Sequence, residues 1–161
     1  MRSIKALAEK LSQIDWQWDQ LWWEHVAQDL ALRKKEAIAG RLTYADTDGE
    51  LWDVYLKGGE IIFVEINFDV FDDIESLSDS DYEDKIDEYF KKFEVCVDDL
   101  APVLGKPKFA DGAAARGFPE DQEANWLALW EGKNSRLMLQ QKHESRDFPL
   151  RLCIVVAPIA L

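Results

Sequence analysis

The stretch AIAGRLTYADTDGELWDVYLKGGEIIFVEINFDV, residues 37–70, decides the fold. Asp48-Gly49 and Gly58-Gly59 are turn pairs suited to positive φ. Between them Trp52, Val54 and Leu56 alternate with Asp53, Tyr55 and Lys57. After the second pair, Ile62, Val64, Ile66, Phe68 and Val70 are assigned to one face. Ile61, Phe63, Glu65, Asn67 and Asp69 are assigned to the other. Period two interrupted by glycine turns predicts a three-stranded antiparallel meander.

Before the meander the period is helical. Ile4, Leu7, Leu11, Ile14, Trp18 and Leu21 recur at three- and four-residue steps, and no Pro or Gly precedes Gly40. The spacing predicts helices over 3–13 and 16–33, the second capped by Asp15, with strand taking over between Lys34 and Ile38. On the second helix Trp18 and Trp22 join the core stripe, while Trp16 and Trp23, seven residues apart, fall on another face. Either the helix is covered on two sides or Trp16 and Trp23 form an exposed aromatic pair at an interface, where tryptophan is enriched among hot spots.

After the meander comes DVFDDIESLSDSDYEDKIDEYF, residues 69–90, with ten carboxylates in its first twenty positions and Lys85 the one cation among them. Ser80 and Glu83 match a capping box, and Tyr82, Ile86, Tyr89, Phe90, Phe93, Val97, Leu100 and Leu104 keep helical spacing. A helix over 81–103 follows, ended by Gly105 with Pro107 beyond. Its first-turn acids, Asp81, Glu83 and Asp84, complement the positive end of the helix dipole. No local rule demands the charge from Asp69 to Asp79. Residues 110–124 read as a loop with one helical turn after Pro119. Residues 125–159 read as three strands with turns at Gly132–Asn134 and Glu144–Phe148; Leu150, Leu152, Ile154 and Val156 share a face, as do Leu137 and Leu139. The class is α+β: one domain over 1–161 with helices on one side of an antiparallel sheet.

The 161 residues are 47% hydrophobic and 12% aromatic, a globular composition, and 32 acidic against 19 basic residues give a net charge of −13. Such a chain repels phosphate backbones and anionic lipid, so neither nucleic acid nor membrane is an expected partner. A basic protein would be attracted and steered. The N-terminal stretch MRSIKALAEKLSQ carries Lys5, Glu9 and Lys10 where a signal peptide needs an apolar core. The longest apolar run, residues 152–161, is well short of the roughly 20 residues that span a bilayer. The expectation is a soluble, cytoplasmic protein. Cys96 and Cys153 both sit in apolar patterns and read as buried free thiols, although two cysteines also suffice for one disulfide.

Known chemistries find little purchase. Residues 69–81 supply hard oxygen ligands but lack the glycine of a calcium loop, and Asp46–Gly49 lies in a predicted hairpin. His25, His143 and the two cysteines show no zinc spacing, and neither histidine has a signature partner for nucleophilic catalysis. No phosphate-binding glycine loop occurs. Carboxylate pairs are too plentiful to inform. The chain is therefore read as non-enzymatic, with no metal and no cofactor.

LGKPKF at 104–109, ANWLALWEGKNSRLMLQQKHESRDFPLRLCIVV at 124–156 and the acidic start of the third helix resemble small acidic immunity proteins. Such proteins guard bacteria against their own toxins. The resemblance implies a stoichiometric inhibitor whose acidic surface docks on a basic toxin, often a nuclease. Asp69, Asp72, Asp73, Glu75, Asp79, Asp81 and Asp84 would form that surface, with Trp16 and Trp23 as further contacts. The alternative from the same composition is an acidic dimeric secretion chaperone, which needs an exposed apolar groove. The sequence leaves the oligomeric state open.

Overall fold

In the computed structural model residues 3–159 are described; Met1 and Arg2 of the N-terminal stretch, and Ala160 and Leu161 of the last apolar run, lie outside them. Two short helices, α1 (Ile4–Ser12) and α2 (Gln20–Asp29), precede four strands: β1 (Arg33–Ile38), β2 (Arg41–Ala45), β3 (Leu51–Lys57) and β4 (Glu60–Phe71). A 3-10 turn at Ile74–Ser76 leads into α3 (Asp79–Leu104). Four more strands follow: β5 (Phe109–Gly112), β6 (Trp126–Glu131), β7 (Arg136–Lys142) and β8 (Leu150–Ala157).

All eight strands lie in one antiparallel sheet, ordered β1-β2-β3-β4-β8-β7-β6-β5. Two four-stranded meanders therefore meet along the β4–β8 seam. The 26 residues of α3, about 39 Å at 1.5 Å per residue, carry the chain from that seam to the far edge. The α+β class and the helices on one face are as expected, but the sheet has more strands than predicted. The helix assigned to 16–33 ends at Asp29, and β1 begins at Arg33. Part of the predicted loop at 110–124 belongs to β5.

The helix side of the sheet holds the larger core. There α2 sets Trp23 against Tyr44 and Trp52 (ring centroids 6.0 and 6.3 Å), while α3 sets Phe90 against Trp126 (4.4 Å). Leu137, Leu139, Leu150, Leu152, Ile154 and Val156 point into this layer, as their spacing predicts. A smaller cluster of Leu127, Leu129, Met138, Cys153, Val155 and Ala157 lies on the opposite face. The chain between β5 and β6 straps over it with Phe118, tied down by Arg136 to Asp121 (2.6 and 2.9 Å) and by Gln140 to Gln122 (2.9 Å).

Local chemistry explains three departures. First, Asp15 caps nothing: residues 14–19 leave the helix, Trp18 takes φ 60°, its carbonyl accepts from Ile61 N–H (2.9 Å), and Asp19 caps α2 through Leu21 N–H (2.7 Å). Second, Ser78 rather than Ser80 caps α3, its Oγ accepting from Asp81 N–H (3.1 Å), so the Ser80–Glu83 box is not the start. Gly105 ends the helix at φ 85°, as expected. Third, β4 bulges twice. One bulge puts Ile61 opposite Leu56, so Ile61 enters the core and Ile62 is exposed. The other pairs Asn67 with Cys153 and Asp69 with Leu152, which turns Asp69 onto the helix face.

Candidate protein-binding surface

The second bulge sorts the acidic segment into two kinds of carboxylate. Asp69 faces α3, accepting from Tyr89 Oη (2.5 Å) and Lys92 Nζ (3.0 Å). Burial, together with that hydrogen bond, pushes the Tyr89 phenol well above its ordinary value. Asp69 is thus a structural partner of the helix and is withdrawn from the expected contact surface. Asp72, Asp73, Glu75, Asp79, Asp81 and Asp84 are all exposed.

These six are held on ordered backbone. Ile74 is buried in the middle of the segment and anchors the 3-10 turn, and the Ser78 cap fixes the first turn of α3. The β7–β8 loop pins the segment from outside. Arg146 bonds Asp79 (2.7 Å) and the Leu77 carbonyl (3.3 Å), and stands over the Tyr82 ring, whose hydroxyl meets His143 Nε2 at 2.6 Å. Among the described residues, no cation lies within ion-pair distance of Asp72, Asp73, Glu75, Asp81 or Asp84.

Two hollows flank the segment. A groove of about 890 Å³ runs between α1, α3 and the end of β4, with Ile4, Leu7, Phe68, Val95 and Leu152 among its walls. A shallower hollow of about 530 Å³ lies on the opposite face around Leu51, Phe148 and Arg151. Glu50, Phe68 and Val70 belong to both, so the two meet over the β4 bulge. Phe148 and the bulge were not legible as surface features. A lone Phe in a polar turn is weak evidence for anything.

Trp16 and Trp23 are 2% and 0% exposed, which overturns their reading as interface residues. Because residues 14–19 are not helical, Trp16 stacks between Trp18 and Trp23 (5.0 and 6.1 Å) and donates from its indole to the Leu11 carbonyl (3.1 Å). Leu21, placed in the core stripe by periodicity, is 71% exposed instead.

One buried charge was missed altogether. Glu65, 2% exposed, meets Lys142 at 2.9 Å and Arg151 at 3.2 Å on the face away from the helices. Burial alone would raise its pKa, but the Lys142 ammonium and the Arg151 guanidinium outweigh that and hold it below the ordinary value. Both cysteines are free. Burial, aided by Asp99 and Asp69, pushes the Cys96 thiol up to about 11, and burial also raises Cys153, so neither thiol is activated as a nucleophile. His25 is exposed on α2. Among the described residues no helix is long and apolar enough to cross a membrane, and no three His, Cys, Asp or Glu side chains gather as a metal site would.

Compared with models of protein families, with curated proteins and with solved structures, the chain matches none.

Proposed function

We propose that this chain is a non-catalytic inhibitor that neutralises a basic protein partner by docking the acidic segment on it, in the manner of an immunity protein facing its toxin. The observation that carries this reading is the set of five carboxylates, Asp72, Asp73, Glu75, Asp81 and Asp84, exposed on anchored backbone with no cation within ion-pair distance among the described residues. Asp81, in the first turn of α3, also complements the helix dipole, but no local rule demands the charge of Asp72, Asp73 and Glu75. A cationic partner gains a fast encounter, and a preordered surface loses little entropy on binding. The exposed apolar side chains beside it would slow release.

The test is co-expression with the neighbouring open reading frames, followed by capture at low and high salt. A basic protein bound one-to-one is the expected result, with Asp72→Lys combined with Asp73→Lys slowing association at least tenfold. If the purified partner associates with the double variant at the wild-type rate, the acidic segment is not its docking surface. The groove favours a second reading, a chaperone for a secreted effector, because that role needs an exposed apolar cleft. A dimer of this chain holding an unfolded protein would select it.

A further inference from the structure

Seven large apolar side chains are exposed among the described residues: Leu21, Ile38, Leu51, Ile62, Val70, Val95 and Phe148. Scattered singly they would need no explanation. Four of them, however, line the two hollows that meet over the β4 bulge, Val95 and Val70 in the groove, Val70, Leu51 and Phe148 in the other. The hollows form one trough around the end of β4. The groove alone is within the size range of a ligand site.

We infer that this trough seats an amphipathic segment of a cationic protein, with the segment's apolar side chains in the groove and its basic end over Asp72–Asp84. This rests on the proposed reading and names the partner element that the surface takes. Charge gives the occupant and its direction. Val70, in the wall of both hollows, is followed two and three residues later by the exposed Asp72 and Asp73. Along α3, Asp84 stands one turn before Glu88 on the groove's rim, so the carboxylates continue beside it. Within the groove Lys92 is already matched by Asp69 (3.0 Å) and Glu88 (3.7 Å). Lys5 and Lys91 also line the groove, alongside Glu50 and Asp99, and its apolar walls of Ile4, Leu7, Val95 and Leu152 take the segment's uncharged face. A second copy of this chain, at −13, would meet like charge.

The groove contains its own reporter. Cys96 lines it as a half-buried free thiol, whereas Cys153 is fully buried and stays silent in the folded protein. The experiment follows alkylation of Cys96 in the full chain at alkaline pH and low salt. Three synthetic probes are added: a Leu/Lys amphipathic helix, a Lys/Ser peptide of equal charge, and a Leu/Glu helix. Peptide anisotropy reports binding separately. The Leu/Lys helix should slow alkylation about tenfold at saturation, the Lys/Ser peptide should bind without slowing it, and the Leu/Glu helix should do neither. Val95→Ser, a neutral change at an exposed groove position, should reduce the protection by the Leu/Lys helix, measured against the same variant without peptide, while the Lys/Ser peptide, which needs only the acidic segment, still binds.

Equal protection by the Leu/Glu helix would overturn the cationic occupant. Binding of the Leu/Lys helix with no slowing of Cys96 would overturn the trough while leaving the inhibitor reading intact. Loss of all binding at low salt would remove both. Protection that rises with protein concentration alone, alongside a dimer in sedimentation, would make the occupant a second copy and overturn the inference.

Discussion

The two halves of the sheet share a helical layer in front but differ behind it. Behind β6–β8 the strap bearing Phe118 seals Leu127, Met138, Cys153 and Val155, so β7 and β8 are buried on both faces. Among the described residues no comparable strap lies behind β1–β4. Strand β1 is exposed along its whole length, and Leu51 and Val70 face outward there. The edge itself is defended: Arg33, Lys34 and Lys35 line it, and its pairing with β2 is bulged, both devices that discourage further strand pairing. The half with one face sealed stabilises the chain. The half with one face open is where a partner has room. The Glu65–Lys142–Arg151 cluster marks the border between them, on strands β4, β7 and β8.

Breaking the sealed half should have the largest effect. Met138→Ala removes a fully buried side chain from under the strap and should cost about 2–5 kcal/mol in urea unfolding. The matched truncation on the open half, Val70→Ala, should cost no more than about 0.5 kcal/mol. Similar losses at the two sites would mean that the open face is covered in solution.

The border comes next. Glu65→Gln keeps the shape but leaves two cations facing a neutral group, at about 3 kcal/mol. That corresponds to a fall in Tm of about 6–12 °C for a chain of this size. Because the folded carboxyl titrates below the ordinary 4.5, its contribution is present above that value and lost as pH falls through the folded value. The wild type should therefore lose stability more steeply below pH 4.5 than Glu65→Gln. Parallel acid profiles would show that the cluster does not couple to folding.

The same contrast explains what the sequence showed. In β3, Trp52 and Val54 are buried while Tyr55 and Asp53 are less so, because one face is open; this is the alternation that predicted the meander. Its turns are where Asp48-Gly49 and Gly58-Gly59 placed them. Where both faces are buried, as in LRLCIVVA of β8, alternation vanishes and only the shared face of Leu150 to Val156 remained readable. Bulges leave no periodic mark until their partner strand is known, so Asp69 was placed on the wrong face. The tryptophans misled for a related reason. Trp18 and Trp22 fit a helical stripe as spacing, but the Trp18 backbone bonds the start of β4, a tertiary contact that spacing does not encode.

Asp69 sharpens the division within the acidic segment itself. Asp69→Asn weakens the bonds to Tyr89 and Lys92 and should cost about 1 kcal/mol, read as a lower urea midpoint at an unchanged slope. It should leave the association rate with a cationic partner within about twofold, since the side chain faces α3. An association rate that fell as far as for the exposed acids would return Asp69 to the contact surface.

The smallest effect on stability is expected where the effect on binding is greatest. Asp72 and Asp73 precede the buried Ile74 and make no ion pair among the described residues. Asp72→Lys with Asp73→Lys should therefore leave stability within about 0.5 kcal/mol of wild type. Reversal could even stabilise the chain slightly, because it lowers the repulsion within a segment carrying ten carboxylates in twenty positions. A gain in stability with a loss of association would mean that the segment keeps its charge at a cost to folding, as binding surfaces do. A loss of stability comparable to Asp69→Asn would instead make Asp72 and Asp73 part of the packing, and the open half of the molecule would lose its claim to be the docking side.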